Sequence, residues 1–426
     1  MRLLHTSDWH VGKAIRGRSR AAEHRAVLGE IAGIAERESV DLVVVAGDLF
    51  DTASPTPEAE RIVYRALLDL AAGGRPVVVV AGNHDSAQRL GAVAPLSQAS
   101  GIHVASAILP AGDGGVLELD LGGEVAQVAL LPFPSQRYVV TADLLLSGDA
   151  ADAHAEYAHR VVRIVQALTG RFRADTVNLI AAHLMVMGGE MGGGERGAHT
   201  VFDYWVPATA FPTAAQYVAL GHLHRAQHLP GPAPLHYCGS PLQLDFGETA
   251  NEPRVNLVDV RPGLPAEVRP VPLACGRRLR TIRGTLDQVL AVAATGEPGG
   301  PGGPDHAGEP ARPGESASDP TGGSDAGDGS PAGSGPPHLR IVLDEPARAG
   351  LADEVRERVP DAVEVVLASR GVDRGERRAD PDRLQRTPHD LFTEYLAEHD
   401  VDDDRLVVLF DDLVDEAVAE PAGDRP

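Results

Sequence analysis

The chain has 426 residues and a formal net charge of −23, and hydrophobic residues make up 43% of it. One hydrophobic core does not usually organise a chain of this length, so we expect two or three domains. The lack of any apolar run of about 18 residues excludes a transmembrane helix, and the presence of only two cysteines excludes a disulfide framework. These features predict a cytoplasmic protein that is not bound to a membrane.

Apolar runs and helical patterns alternate over the first 270 residues or so. The runs cover residues 3–4, 42–46, 77–81, 177–181 and 217–220, and the helical patterns include 20–38 and 57–72. Continuous apolar runs rich in β-branched residues are typical of strands that are buried on both faces of a parallel sheet. Strands that alternate with helices predict βαβ units and therefore an α/β fold.

A short polar motif follows each of the five apolar runs. Ligands of α/β sheets bind beyond the carboxyl ends of the strands, so we expect the five motifs to share one edge. Carboxylates mixed with imidazoles, without thiolates, are typical of catalytic Mn²⁺, Fe or Zn²⁺. A single carboxylate at Asp48 could bridge two such ions, which predicts a two-metal hydrolase. In chain order the motifs are Asp8-Trp9-His10, Gly47-Asp48, Gly82-Asn83-His84-Asp85, Ala182-His183 and Gly221-His222-Leu223-His224.

The composition changes in the last third of the chain. Residues 296–337 contain 13 Gly and 9 Pro but no Val, Leu, Ile or aromatic residue, which predicts a disordered insertion. Strand and helix patterns on both sides of this insertion indicate two halves of one small α/β domain. We therefore expect a large domain over 1–275, a capping domain over 276–369 that the insertion at 296–337 interrupts, and a C-terminal helical segment over 370–426.

The C-terminal segment combines acidity with an apolar face. Residues 398–425 carry eleven Asp or Glu and two Arg, a contribution of −9 to the net charge. Two helical patterns, at 388–399 and 404–418, place apolar residues on one side. This face either docks on a partner or packs on the chain's own large domain. Its members are Leu391, Tyr395, Leu406, Phe410 and Leu413.

The five motifs resemble those of the calcineurin-like metallophosphoesterases, and the residues around them resemble the family of bacterial SbcD-type exonuclease subunits. The wider match includes 6–12, 47–52, 221–227 and 237–241, and it covers roughly residues 1–280. The resemblance implies a four-layer α/β/β/α sandwich with a small α/β capping domain and C-terminal helices. It also implies 3′ to 5′ exonuclease activity on double-stranded DNA and endonuclease activity on single strands and hairpins, in DNA repair, recombination and replication.

The resemblance also implies roles for individual residues. Two divalent metal ions, Mn²⁺ in the first instance, would share the carboxylate of Asp48. His84 would be the general acid for the leaving oxygen, with Asp51 as its orienting partner. Asp85 is interpreted as a residue that stabilises the turn. The first ion would be held by Asp8, His10, Asp48 and His224, and the second by Asp48, Asn83, His183 and His222.

Three classes of function follow from these observations. The first is a DNA nuclease subunit that works as a homodimer with an SbcC-type coiled-coil ATPase, in a heterotetramer. The second is a stand-alone metallophosphatase or phosphodiesterase acting on nucleotides or other small phosphoesters, and the third is an inactive structural protein. The additional domain and the apolar-faced tail favour the first class. The net charge of −23 agrees with it if the partner supplies much of the DNA-binding surface.

Overall fold

The computed structural model describes residues 1–135, 157–193, 205–295 and 335–368, together with a few single positions beyond residue 391. None of the helices within these ranges has the length and apolar character needed to cross a membrane. The helices are α1 (Ala21–Arg37), α2 (Pro57–Leu70), α3 (Ala87–Gln98), α4 (Tyr157–Thr169), α5 (Leu286–Thr295) and α6 (Leu351–Arg358). The strands are β1 (Arg2–Thr6), β2 (Ala14–Ile15), β3 (Arg18–Ser19), β4 (Leu42–Val45), β5 (Val77–Val80), β6 (Ile102–Ala105), β7 (Val116–Leu121), β8 (Glu124–Leu131), β9 (Val177–His183), β10 (Met185–Val186), β11 (Trp205–Val206), β12 (Tyr217–Gly221), β13 (Gln227–Leu229), β14 (Leu235–Tyr237), β15 (Arg254–Arg261), β16 (Leu264–Pro272), β17 (Leu279–Gly284), β18 (His338–Leu343) and β19 (Ala362–Leu367).

Two six-stranded sheets organise the large domain. Sheet 1 has the strand order β16-β15-β1-β4-β5-β6, and sheet 2 has the order β13-β14-β12-β9-β8-β7. Strands β1, β4, β5 and β6 of sheet 1 are parallel, as are β14, β12, β9 and β8 of sheet 2. All five apolar runs predicted as strands lie in these parallel sets, so the prediction is confirmed.

The two sheets and their helices form four layers. In the parallel strands of sheet 1, successive valines face opposite sides: Val43 packs in a core with α1 and α2, whereas Val44 packs in a core between the two sheets. On the other side of sheet 2, Ile164 of α4 packs with Val218 of β12 in a third core. Burial of both faces explains why these strands are apolar throughout. The predicted α/β/β/α sandwich is confirmed.

A third, smaller sheet follows in the chain. Strands β17, β18 and β19 are parallel, and α5 and α6 cover them around a separate core that contains Ile282, Val289, Ile341 and Val355. This sheet lies within the range that we propose as the capping domain. Residues 296–334 of the predicted insertion, which separate α5 from β18, lie outside the described residues.

The chain divides into two compact units, residues 1–368 and 369–426. In the second unit the rings of Phe392 and Phe410 stack with 4.1 Å between their centroids. Leu406 of the predicted apolar face is exposed. Leu391, Tyr395 and Leu413 of that face lie outside the described residues.

Candidate metal centre

The predicted metal ligands and His84 lie at the carboxyl ends of parallel strands or in the loops just beyond them. Asp8 and His10 come after β1, Asp48 after β4, and Asn83 and His84 after β5, while His183 is the last residue of β9, and His222 and His224 come after β12. Main-chain hydrogen bonds join the first two loops, since the N–H of Asp8 donates to Gly47 and that of His10 donates to Asp48. The structure brings residues from five separate strands together, as expected, but the strands belong to two sheets: β1, β4 and β5 to sheet 1, and β9 and β12 to sheet 2.

Four of these residues have an unusual backbone conformation. Asp8, His10 and Asp48 have φ angles of 53°, 45° and 53°, and His222 has a φ of 102°. Residues other than glycine seldom adopt positive φ, and such strain concentrates at functional sites. The surrounding sandwich thus holds these side chains in positions that the local backbone does not favour.

Two glycines allow the loops to approach one another. A Cβ atom at Gly47 would lie 2.3 Å from Nδ1 of His183, and one at Gly82 would lie 2.1 Å from Oδ1 of Asp48. Gly47 also has a φ of 89°, which other residues rarely adopt. Both glycines therefore provide the space that the two side chains occupy.

The side chains predicted for the first ion lie close together. Nε2 of His10 is 3.1 Å from Nε2 of His224, and it is 3.4 Å from Oδ2 of Asp48. In the Asp8 carboxylate, Oδ1 accepts the main-chain N–H of His222 at 3.0 Å. Ligand atoms of Asp8, His10 and His224 all lie within 4.8 Å of one another.

The residues predicted for the second ion surround the amide of Asn83. Its Oδ1 is 2.9 Å from Nε2 of His183 and 2.7 Å from Nδ1 of His222. Nε2 of His183 also lies 3.5 Å from Oδ2 of Asp48. Asp48 therefore faces imidazoles of both sets, which is the position a bridging carboxylate requires.

Burial and nearby charges shift the pKa values of the groups in this centre. Burial lowers the pKa of His183, but the charge of Asp48 outweighs it and raises this pKa to about 9. Burial lowers the pKa of His10 to about 4, so this imidazole is neutral near pH 7. Burial opposes ionisation of Asp48, but the adjacent His183 holds the pKa of this carboxyl well below its usual range. Burial raises the pKa of Asp8 to about 6, although the positive charge of His183 acts to lower it. A cation between the two carboxylates would favour the ionised form of both.

His84 and Asp51 are in contact through the main chain of Asp51. Nδ1 of His84 lies 2.7 Å from the main-chain carbonyl of Asp51, and not beside its carboxylate. The carboxylate of Asp51 instead lies 3.5 Å from Nδ1 of His10 and 3.3 Å from Nζ of Lys13. Asp51 therefore contacts His84 through the main chain and His10 through the side chain.

Asp85 stabilises the loops, as predicted. Its buried carboxylate accepts main-chain N–H groups of Leu49 at 3.3 Å, Phe50 at 3.1 Å and Gly82 at 2.9 Å. These bonds join the loop after β4 to the loop after β5. Burial and the charge of Asp48 raise the pKa of Asp85 to about 7.

The sequence did not indicate three further contacts of the centre. Glu248 lies 2.7 Å from Nδ1 of His224, and the carbonyl of Ala46 lies 2.8 Å from Nδ1 of His183. Phe133 stacks on the ring of His222 with 5.8 Å between centroids. Glu248 lies in a short 3₁₀ turn, Phe246–Glu248, that has no periodic pattern, and a main-chain acceptor such as Ala46 leaves no signal in a sequence.

The donor set fits a pair of divalent metal ions. Besides the group of Asp8, His10 and His224, the groups Asp8–Asp48–His183 and His10–Asp48–His84 each bring three ligand atoms within 4.8 Å. Carboxylates and imidazoles bind Mn²⁺, Fe and Zn²⁺ in catalytic sites. Two buried carboxylates that face several imidazoles are in the surroundings expected of metal ligands.

Comparisons with known proteins agree with this geometry. Residues 1–226 match the family model of the calcineurin-like phosphoesterases. The chain is 40% identical over 284 residues to the D subunit of nuclease SbcCD from Bacillus subtilis, a match that covers 66% of this chain and 71% of that protein. It is 39% identical over 294 residues to the corresponding protein of Rhodobacter capsulatus, covering 64% and 71% of the two chains. With the Escherichia coli K12 protein it shares 32% identity over 315 residues, covering 68% and 73%.

The chain belongs to the calcineurin-like phosphoesterases, because the family match covers more than half of its 426 residues. Members of this family use divalent metal ions, and the groups of carboxylates and imidazoles described above are candidate sites for them. Within the family, the relatives at 32% to 40% identity assign the chain to the D subunits of SbcCD nucleases. It is therefore a metal-dependent phosphoester hydrolase of the nuclease class.

Proposed function

We propose that this chain is the nuclease subunit of an ATP-driven repair and recombination complex, and that it hydrolyses DNA phosphodiesters with two metal ions. The observation that carries the proposal is the position of Asp48. Its Oδ2 lies 3.4 Å from Nε2 of His10 and 3.5 Å from Nε2 of His183, between the two predicted ligand sets. The proposed activities are 3′ to 5′ exonuclease action on double strands and endonuclease action on single strands and hairpins.

The proposed ligand sets share Asp48. When bound, two divalent ions would supply Lewis-acid chemistry at the scissile phosphate. We propose Mn²⁺, since the donors are carboxylates, imidazoles and one amide, without a thiolate. Asp8, His10, Asp48 and His224 would bind the first ion, and Asp48, Asn83, His183 and His222 the second.

His84 is the proposed general acid. Its ring lies next to that of His10, with 4.6 Å between centroids, and so borders the first ligand set. The hydrogen bond between Nδ1 and the carbonyl of Asp51 fixes the ring, and Nε2 is the atom that would hold the proton for the departing oxygen. A positioned acid of this kind typically accelerates a reaction by about 10²–10⁴-fold.

The partner in this proposal is an SbcC-type coiled-coil ATPase, with two copies of each protein in a cytoplasmic heterotetramer. The net charge of −23 supports a partner that supplies phosphate-binding surface.

We place the docking face in the C-terminal segment that includes Leu406 and Phe410. The variant F410D/L413D should no longer capture the ATPase while it still hydrolyses a small phosphodiester. Capture at the level of the unaltered chain would contradict this docking face.

The enzymatic test compares DNA with a small substrate. The full chain, loaded with Mn²⁺, is given 5′-labelled duplex DNA, a DNA hairpin and bis(p-nitrophenyl) phosphate, with and without the ATPase and ATP. We expect ladders shortened from the 3′ end, cleaved hairpins, and loss of all activity in Asp48→Asn. Asp69→Asn, on the exposed side of α2, is the matched control and should remain active. Hydrolysis of the small ester and of nucleotides, with DNA intact even beside the ATPase, would instead support the stand-alone phosphodiesterase.

A further inference from the structure

Glu248 is fully buried, and both oxygens of its carboxylate accept hydrogen bonds. Oε1 lies 2.7 Å from Nδ1 of His224, and Oε2 accepts the main-chain N–H of Leu244 at 2.7 Å. With Nδ1 bound in this way, Nε2 of His224 faces Nε2 of His10. A carboxylate that binds the far nitrogen of a metal-binding imidazole fixes its orientation and increases its basicity.

The loop that carries Glu248 is held in turn by Gln243. The buried side-chain amide of Gln243 donates from Nε2 to the carbonyls of Thr249, at 3.0 Å, and Asn251, at 2.9 Å. Both carbonyls belong to residues that follow Glu248 in the chain. Leu244, whose N–H donates to Glu248, is the next residue after Gln243. Gln243 therefore fixes both ends of the loop over residues 243–251.

The same glutamine also binds the third sheet. Its Oε1 accepts the N–H of Leu279, the first residue of β17, at 2.7 Å, and its carbonyl accepts the guanidinium of Arg20. Leu279 packs with Phe246 of the loop and Ile15 of β2 in a small core of their own. The start of β17 is thus joined to the Glu248 loop by a hydrogen bond and by apolar packing.

We infer that Glu248 is a positioning residue for His224, and that Gln243 makes this positioning depend on the placement of β17. The inference rests on the proposed role of His224 as a metal ligand. A shift of the proposed capping domain at β17 would move Gln243, then the Glu248 loop, and then the imidazole of His224. Affinity for the ion that His224 binds would change, whereas affinity for the ion among Asn83, His183 and His222 would not.

The test measures Mn²⁺ binding to the metal-stripped full chain by calorimetry, without any activity assay. Outer groups that orient metal ligands typically contribute about 10–100-fold to affinity. We expect Glu248→Ala to weaken one of two ions by that factor, Glu248→Gln by less, and Gln243→Met by a few-fold for the same ion. Asp245→Asn is the control in the same loop; its Oδ1 accepts the N–H of Gly247, which asparagine can also do, and it should bind as the unaltered chain does.

The double variant E248A/Q243M tests whether Gln243 acts through Glu248. If it does, the double variant binds no more weakly than Glu248→Ala alone, whereas two independent structural effects would multiply and overturn the inference. Unchanged affinity in both Glu248 variants, with melting curves that show a folded chain, would also overturn it. If Glu248→Ala does not fold, Glu248→Gln takes its place in the cycle. His224→Ala distinguishes a failure of the proposed ligand set from a failure of the inference about Glu248. If His224→Ala retains both ions, the proposed ligand set is wrong. If it loses one ion while the Glu248 variants lose none, only the inference fails.

Discussion

The role of each aspartate carboxylate at the metal centre follows from the groups that it contacts. Asp48 contacts His10 and His183, which belong to different ligand sets, and its Oδ1 accepts the N–H of His84 at 2.8 Å. Asp85, two residues beyond Asn83, receives main-chain N–H groups, and among the described residues it belongs to none of the groups that could hold an ion. Residue type alone does not separate these roles, since both are buried aspartates.

The first prediction concerns the bridging role of Asp48. Asp48→Ala should lose both metal ions because its carboxylate faces both sets, whereas His10→Ala should mainly weaken the first ion. Metal content per chain is measured by mass spectrometry on the purified variants after dialysis. Two ions per chain in Asp48→Ala would contradict the assignment.

The second prediction separates proton transfer from metal binding. His84→Ala should retain two ions and lose single-turnover DNA cleavage by about 10²–10⁴-fold. Asp51→Asn keeps the main-chain carbonyl that accepts from His84, so it should lose less activity than His84→Ala. An intact cleavage rate in His84→Ala, or a missing ion, would rule out the general-acid role.

At the scale of elements, the strand ends were predictable and the loop contacts were not. Buried parallel strands are apolar throughout, so each polar motif after them was visible in the sequence. The pairing of Glu248 with His224 joins residues 24 apart across irregular loops, where no periodicity relates them. Which atom of Asp51 contacts His84 could not be predicted, because only the folded chain shows that Lys13 lies beside the carboxylate.

The third prediction concerns the close approach of two loops. Gly82→Ala should destabilise the chain and weaken metal binding, since the added Cβ would lie 2.1 Å from Oδ1 of Asp48. Gly29→Ala is the matched control: it lies in α1, where an added Cβ meets nothing within 4 Å, and alanine favours a helix by up to about 1 kcal/mol over glycine. Melting temperature and Mn²⁺ content are measured for both. Equal behaviour of the two variants would contradict the steric argument.

The fourth prediction concerns the junction between α1 and β18. Glu23 of α1 accepts from Nη2 of Arg20 at 2.8 Å, and it lies 3.0 Å from Nε2 of His338. Burial raises the pKa of Glu23, but hydrogen bonds with His338 and Arg20 outweigh it and lower the pKa to about 2, from an ordinary value of 4.5. A lowered carboxyl pKa stabilises the fold above the ordinary value, and this contribution is lost as the pH falls toward the folded value.

Between pH 6 and pH 3 the unaltered chain should therefore lose more stability than Glu23→Gln does. Allowing for solvent screening, we expect a difference of about 1–2 kcal/mol in the free energy of unfolding. Urea unfolding of both chains across this range gives the measurement, and the difference between them removes the contributions of other titrating groups. Parallel curves would show that the Glu23 contacts do not contribute.

At the scale of the whole molecule, one small sheet is built from two parts of the sequence. Strands β17 and β18 pair in parallel over six residues, although 53 residues separate Gly284 from His338. The pattern of strands and helices on both sides of the Gly- and Pro-rich insertion predicted this sheet, because the insertion itself has no Val, Leu, Ile or aromatic residue with which to form a core. Its attachment to the large domain could not be predicted, since it depends on the single polar residues Gln243 and Glu23 and on a small core of Ile15, Phe246 and Leu279.

The last prediction tests whether the insertion affects this arrangement. Deletion of residues 299–333 should leave the melting temperature and the nuclease activity almost unchanged, because the cost of closing a loop changes by only about 0.6 kcal/mol per doubling of its length. A second deletion that extends through residue 337 is the control. It removes the carbonyl of Pro336, which accepts from Nε of Arg277 at 2.5 Å, and Gly335, which lies beside the same arginine. We expect only the longer deletion to lower the melting temperature. A fall of several degrees in the shorter deletion would show that the insertion packs on the rest of the chain.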